Sequence, residues 1–294
     1  MAGHQFGGGW TSEKLERVRK YLVAYTTIMT ANERARFLRT IYVDAFAGTG
    51  YRSLTRSKHS ETMQELVPDP ERIAFLKGSA RIALEVEPPF NQYVFIEKNT
   101  ERFRQLEKLK TEFPERANHV TIINQEATDY LKQWCRQIDW QRWRAVVFLD
   151  PYGMQVDWSL IEALAETRAV DLWILFPLGQ AVNRLLTKHE PPPEDWADAL
   201  TRMFGTNAWR GEFYPKQVQQ TLFGTEESYL KDADFERIGK FFVKRLKTVF
   251  AGVADNPLPL RNSRNIPLFL LCFACANPRG ATPAIKIAQN ILGK

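Results

Sequence analysis

Ile41-Tyr42-Val43-Asp44-Ala45-Phe46-Ala47-Gly48-Thr49-Gly50 is the stretch on which the reading of the chain turns. Its first three residues form a β-branched and aromatic run, which predicts a buried strand. The run ends in an acid and a turn with glycines at alternate positions. Such a turn lets backbone approach a ligand closely, and Asp44 at the strand's end can meet a cationic or hydroxyl-bearing group. A phosphate loop would need Gly-Lys-Ser/Thr after the turn, whereas Gly50 is followed by Tyr51-Arg52, and the dinucleotide fingerprint would need a third glycine. A strand-to-helix turn that uses glycine merely to bend is the plain alternative.

Outward from this strand the pattern becomes regular. Residues 79–85 read as a helix, 93–96 as a buried strand, 100–113 as a helix with Phe103, Leu106 and Leu109 inward, 120–123 as a strand and 129–138 as a helix. Residues 145–149 and 172–176 are continuous apolar runs, and Leu160, Ile161 and Leu164 mark a helix between them after the possible cap Asp157. Strands apolar on both faces and alternating with helices predict a mostly parallel sheet covered on both sides, a doubly wound α/β domain. Before it, Thr11 or Ser12 can cap a helix bearing Leu15, Val18, Leu22 and Tyr25.

Residues 51–77 show no sustained period and read as an insertion. Beyond Pro177 the chain turns helical and aromatic, with one stripe of Trp196, Leu200 and Met203 and another of Phe235, Ile238, Phe242, Leu246 and Val249. Only residues 267–276 read as strand again, expected to return to the sheet edge, and 283–292 as a closing helix. The predicted organisation is an N-terminal tail and helix packed on the core (1–40), the core (41–182), a helical insertion (183–260), and the core's returning strand and closing helix (261–294).

With 294 residues, 44% hydrophobic and 25% charged, the chain is outside the disordered classes and can bury a real core. The 40 Lys and Arg against 34 Asp and Glu give a net charge of +6, which suits an anionic partner but does not by itself establish nucleic-acid binding. Arg237, Lys240, Lys244, Arg245 and Lys247 cluster in one helix and can follow a phosphate backbone or simply form a solvated face. Cys135, Cys272 and Cys275 are too few for a disulfide framework and favour a reducing compartment. Cys272-Phe273-Ala274-Cys275 has no second pair, and on a strand residues three apart face opposite sides, so buried thiols are expected there and no metal. His4, His59, His119 and His189 lack ligand spacing. The N-terminal residues show no signal-peptide pattern, and no apolar run approaches the roughly 20 residues of a membrane span. A soluble, cytoplasmic protein without membrane contact is predicted.

Further candidates for chemistry follow the later strands. Glu97, next to Lys98, can accept two hydrogen bonds from vicinal ribose hydroxyls, or be a surface acid paired to Lys98 or Arg102. In Asn124-Gln125-Glu126-Ala127, Glu126 can accept from an exocyclic amine, or serve a helix-capping turn before Asp129. In Asp150-Pro151-Tyr152-Gly153, the Asp-Pro pair favours an extended Asp150 and Gly153 frees the turn to hold Tyr152 over a cleft, where a ring stacks on a planar base while an oxygen accepts from its amine. The alternative is a turn with Tyr152 as a core lid. All these segments fall at the carboxyl ends of predicted strands, where an open α/β sheet binds ligands.

Over residues 41–177 the sequence resembles class I S-adenosylmethionine-dependent methyltransferases, with residues 44–50 as their first motif, Glu97 the second, Glu126-Ala127 the third and Asp150-Pro151-Tyr152-Gly153 the fourth. The fourth is similar to the Asp-Pro-Pro-Tyr loop of amino-methylating nucleic-acid enzymes, but with a single Pro151 and with Gly153, closer to the Asp-Pro-Phe-Gly loop of tRNA guanine-N2 dimethyltransferases. A resemblance spanning nearly the whole chain is to the three-Cys-motif partner protein family (TcmP). It is carried by Phe6-Gly7-Gly8-Gly9-Trp10-Thr11, Lys14-Leu15, residues 42–50, Lys77-Gly78-Ser79-Ala80, Phe95-Ile96-Glu97 and residues 148–153. That family is named for a companion with three clustered cysteines that resembles radical S-adenosylmethionine proteins. The resemblance implies a Rossmann-like methyltransferase fold. It also implies S-adenosylmethionine near Asp44, Ala45, Phe46, Gly48 and Gly50, with Glu97 on the ribose, Glu126 near the adenine amine, and Lys98 and Ala127 as further cofactor-binding residues. Asp150, Pro151, Tyr152 and Gly153 would form the target loop of an N-methyltransferase acting on a nucleobase amine of RNA or DNA. The alternative it implies is a non-catalytic or cofactor-binding partner of the three-Cys companion.

Overall fold

β1 (Arg39–Ala45) lies in the interior of a sheet, pairing in parallel with β2 (Gln92–Ile96) on one side and β4 (Trp143–Leu149) on the other. The structure is a computed structural model that describes residues 9–45, 78–151, 153–221 and 224–293. Successive residues of β1 point into different cores, Ile41, Val43 and Ala45 into one and Tyr42 into the other, so a run with no polar alternation is what a strand buried on both faces requires. The 51–77 insertion predicted from sequence lies outside the described residues.

The eight-stranded sheet has the order β3-β2-β1-β4-β5-β10-β8, with β9 also pairing β10. Here β3 is Val120–Ile123, β5 Val170–Phe176, β8 Gly252–Val253, β9 Leu258–Arg261 and β10 Pro267–Cys275. β1 to β5 run in parallel, and β10 is antiparallel to β5. One face is covered by α4 (Ala127–Gln137), α5 (Trp158–Glu166), α7 (Glu194–Phe204), α8 (Ala208–Phe213) and α9 (Phe235–Leu246). The other is covered by α1 (Gly9–Ala31), α2 (residues 78–85), α3 (Thr100–Glu112) and α10 (Ala281–Leu292). A π-helical turn, Leu178–Val182, leads into the short α6 (Asn183–Leu185).

Several expectations are corrected. β10 is not at the edge: β8 and β9 cover its outer side, and both are short, β9 carrying Pro259, as suits strands that must not invite further pairing. The 183–260 segment is not wholly helical, since it holds β8 and the antiparallel hairpin β6 (Lys216–Thr221) and β7 (Gly224–Tyr229). Lys-Gln-Val-Gln-Gln-Thr and Gly-Thr-Glu-Glu-Ser-Tyr lack the apolar alternation by which a half-buried strand is recognised. α1 begins at Gly9, so Thr11 and Ser12 lie inside it instead of capping it. Asp157 precedes α5 but makes no capping hydrogen bond, and pairs with Arg202 at 3.7 Å instead.

α1 is pinned across the sheet. Arg17 donates to the Ile291 carbonyl of α10 at 2.6 Å, and the Tyr21 hydroxyl donates to Asp171 Oδ2 of β5 at 2.7 Å, its ring packed on Trp173 and Phe273. Burial pushes the Asp171 carboxyl above its ordinary range, while bonds from Cys275 and Tyr21 act against that shift. Tyr21→Phe keeps the ring and removes one donor. It is expected to cost about 1–2 kcal/mol, read as a lower denaturant midpoint at unchanged slope, and an unchanged midpoint would refute this anchoring role.

Candidate functional site

Parallel pairing brings the carboxyl ends of four strands to one rim. Ala45 is in register with Leu149, Asp44 with Phe95, and Ile96 with Ile123. Just beyond, the Asp150 amide donates to the Ala45 carbonyl at 3.4 Å and the Glu97 amide to the Ile123 carbonyl at 2.9 Å. Asp44, Ala45, Glu97, Lys98, Glu126, Ala127, Asp150, Pro151 and Gly153 therefore all belong to this rim. Strand order reverses between β1 and β4, which makes their shared end the topological switch point of the sheet. Phe46, Gly48, Gly50 and Tyr152 lie outside the described residues.

On the β2–β3 side, Glu97 is only 1% exposed, and its Oε1 accepts from the Asn99 amide at 2.6 Å. Asn99 in turn caps α3, its Oδ1 accepting from the amides of Glu101 and Arg102. Asn124 ties the neighbouring loop to this one by donating from Nδ2 to the carbonyls of Glu97 and Lys98 at 2.8 and 2.9 Å. Lys98 thus contributes main chain to the tie, and its side chain is exposed. Glu126 caps α4, Oε2 accepting from the Asp129 amide at 3.0 Å, and Ala127 is the buried first residue of that helix. The capping alternative for Glu126 is thus observed. Asn99 was missed in the sequence, although an Asn directly before the periodic apolar run of α3 is the signal for such a cap.

On the β1–β4 side, Asp44 is 2% exposed and accepts from the Tyr42 hydroxyl at 3.4 Å. Asp150, half-buried, pairs through Oδ2 with the Lys14 ammonium of α1 at 3.1 Å, and the Lys14 side chain is 2% exposed. Sequence reasoning gave Lys14 no role. A lysine in an amphipathic helix reads as solvated, and nothing local shows that it faces a carboxylate 136 residues away. Pro151 is buried, and Gly153 has φ +64°, a left-handed conformation that a β-carbon would strain.

Burial, reinforced by the negative charge of Asp150, pushes the Asp44 carboxyl up to about 7, against the nearby Ser79 hydroxyl, the hydrogen bond from Tyr42 and the charge of Lys14. An acid whose folded pKa is raised binds more protons folded than unfolded, so this group's contribution to stability falls as pH rises from about 4 to about 7. Asp44→Asn is expected to flatten that part of the stability-against-pH curve relative to wild type. Parallel curves for the two proteins would show that Asp44 titrates normally.

The basic helix is largely engaged within the chain. Arg237 pairs with Asp232 at 2.6 Å and Glu212 at 3.2 Å, Lys240 with Glu236, and Lys247 with Asp255. Arg245 donates to the Phe204 carbonyl and lies over the Trp158 ring. Cys272 and Cys275 lie in the cores on opposite faces of the sheet, and burial raises both thiols and pushes that of Cys135 up to about 12. No metal-binding cluster occurs among the described residues, and among them no helix is long and apolar enough to cross a membrane.

A 3-2-1-4-5 parallel order, with the antiparallel β10 standing between β5 and β8, defines the class: a doubly wound, Rossmann-like α/β fold. Among solved structures, protein LPL1258 from Legionella pneumophila str. Philadelphia 1 is similar to this chain at 11% identity and TM-score 0.45, over 98% of this chain and 92% of that one. Spermidine synthase from Thermotoga maritima is similar at 9% identity and TM-score 0.42, over 95% of this chain and 63% of that one. Putative methylase HI0767 from Haemophilus influenzae is similar at 16% identity and TM-score 0.30, over 74% of this chain and 98% of that one. No protein-family model matches the chain, and no curated protein matches it.

Proposed function

We propose that the protein is an S-adenosylmethionine-dependent methyltransferase acting on an exocyclic amino group of a nucleobase in RNA or DNA. The observation that carries this reading is the gathering of the acids Asp44, Glu97 and Asp150 at one rim around the switch point, where the one buried lysine among the described residues, Lys14, is already paired. Such a set of acceptors disfavours a phosphate-bearing ligand and fits a positively charged sulfonium with ribose hydroxyls as hydrogen-bond donors. Bound S-adenosylmethionine would supply an electrophilic methyl group, its sulfur keeping the bonding pair and leaving as a neutral thioether when the methyl joins nitrogen.

The chain's own residues bind and orient. Glu97, fixed by Asn99 and Asn124, receives the ribose hydroxyls. Glu126 and Ala127 form the α4 start beside which the adenine lies, Glu126 sharing its carboxylate with the cap. Asp150 accepts from the acceptor amine, so that nitrogen presents its lone pair in line with the methyl group, and the N–H proton lost as the N–CH3 bond forms passes to the Asp150 carboxylate or to solvent, while Pro151 and Gly153 shape the base pocket. Positioning of this kind dominates the acceleration when the donor is already activated. Membership of the three-Cys-motif partner family belongs to the same proposal, and the companion is the expected protein partner.

Incubation of the protein, with and without that companion, with methyl-labelled S-adenosylmethionine and total nucleic acid from cells lacking the protein tests the reading. Label in an amino-methylated nucleoside after digestion is expected. Absence of label from every nucleoside in both incubations would overturn it.

A further inference from the structure

We propose that Lys14 is a positioning residue for Asp150, and that the N-terminal helix α1 is thereby a working wall of the site as well as a cover for the sheet. This inference rests on the methyltransferase reading and adds to it a residue outside the strand-end loops.

The Lys14 ammonium is carried by a helix that reaches the rim from outside the strand–helix alternation, and it meets Asp150 Oδ2 at 3.1 Å. The lysine stem passes into the core, with Nζ 5.9 Å from the centroid of the Phe148 ring, and its side chain is 2% exposed against 16% for Asp150. A buried ammonium is costly unless it is held by a carboxylate, so this geometry specifies a contact more strongly than a surface pair does. The helix has little freedom to withdraw, because Arg17 and Tyr21 hold it to α10 and β5 one and two turns further on. With Oδ2 fixed by Lys14, the rotation of the Asp150 carboxylate is set and Oδ1 is directed for an acceptor amine. Lys14 also offsets the negative charge that Asp150 and Asp44 bring to the same place, the latter group being faced by Tyr42 of β1, Ser79 of α2, Asp150 and Lys14.

Lys14→Met keeps the length of the stem and removes the charge. At saturating S-adenosylmethionine it is expected to lower kcat about 10- to 100-fold, since loss of orientation at the acceptor is felt in the transfer step. The dissociation constant for S-adenosylmethionine should stay within about threefold, and Lys14→Arg, which restores a cation, should keep more of kcat than Lys14→Met does. Denaturant midpoints of wild type, Lys14→Met, Asp150→Asn and the double variant supply a readout independent of activity: the two changes should be strongly non-additive.

Wild-type transfer with Lys14→Met undiminished, or additive effects of the two changes on stability, would overturn the positioning role alone. If Lys14→Met does not fold, failure of a folded Lys14→Arg to retain transfer would overturn it equally. Absence of transfer by wild type itself would instead overturn the underlying reading, and this inference with it.

Discussion

Asp150→Ala is expected to lower methyl transfer to an amino acceptor by roughly 100- to 1000-fold, with the dissociation constant for S-adenosylmethionine held within about threefold. Asp150 stands on the β4 side of the switch point, its amide bonded to Ala45 and its carboxylate held by Lys14, and the proposed reading assigns it to the acceptor rather than to the cofactor's sugar. The same change deprives a buried ammonium of a carboxylate, which adds a stability loss of about 3 kcal/mol or less, since Asp150 keeps 16% of its side chain exposed. Asp150→Asn retains volume and one oxygen, and separates the two effects: transfer should still fall steeply while the thermal midpoint drops less. Single-turnover rates and calorimetric titration on both variants check this, and transfer preserved in Asp150→Asn would remove Asp150 from the acceptor site.

Glu97→Ala is expected to show the reverse weighting. A carboxylate receiving ribose hydroxyls contributes about 1.5–3 kcal/mol, which corresponds to a loss of roughly 10- to 150-fold in S-adenosylmethionine affinity with kcat little changed at saturation. Part of that loss would come from the β2–α3 loop, because Glu97 Oε1 also accepts from the Asn99 amide. Glu97→Gln keeps an oxygen for that amide and isolates the ribose contribution. Equal losses of affinity in the Asp150 and Glu97 variants would contradict the division of the rim into an acceptor side and a cofactor side.

The order of elements from β1 to β5 was legible because buried parallel strands are runs such as Val146-Val147-Phe148-Leu149 and Leu172-Trp173-Ile174-Leu175, bounded by helices with apolar stripes. The strands that escaped notice lacked that signature. β8 has two residues, β9 contains Pro259, and the β6–β7 hairpin alternates no apolar side chains. The position of Asp44, Glu97, Glu126 and Asp150 at one rim was legible because each lies at or just beyond the carboxyl end of a strand in a parallel array. What joins them was not. Asn124 bridging to the Glu97 and Lys98 carbonyls and Lys14 reaching Asp150 are contacts between distant segments, and single-sequence periodicity carries no information on which distant side chains meet. Glu126 shows the converse, a residue with two readings in sequence of which the local one, the cap of α4, is visible in the geometry.

Calorimetric titration of the purified protein with S-adenosylmethionine, alone and in the presence of the three-Cys companion, tests the central claim most directly. The account predicts saturable binding at one site per chain that Glu97→Ala weakens and Asp150→Asn leaves nearly unchanged. Heat no greater than dilution in both titrations would contradict it.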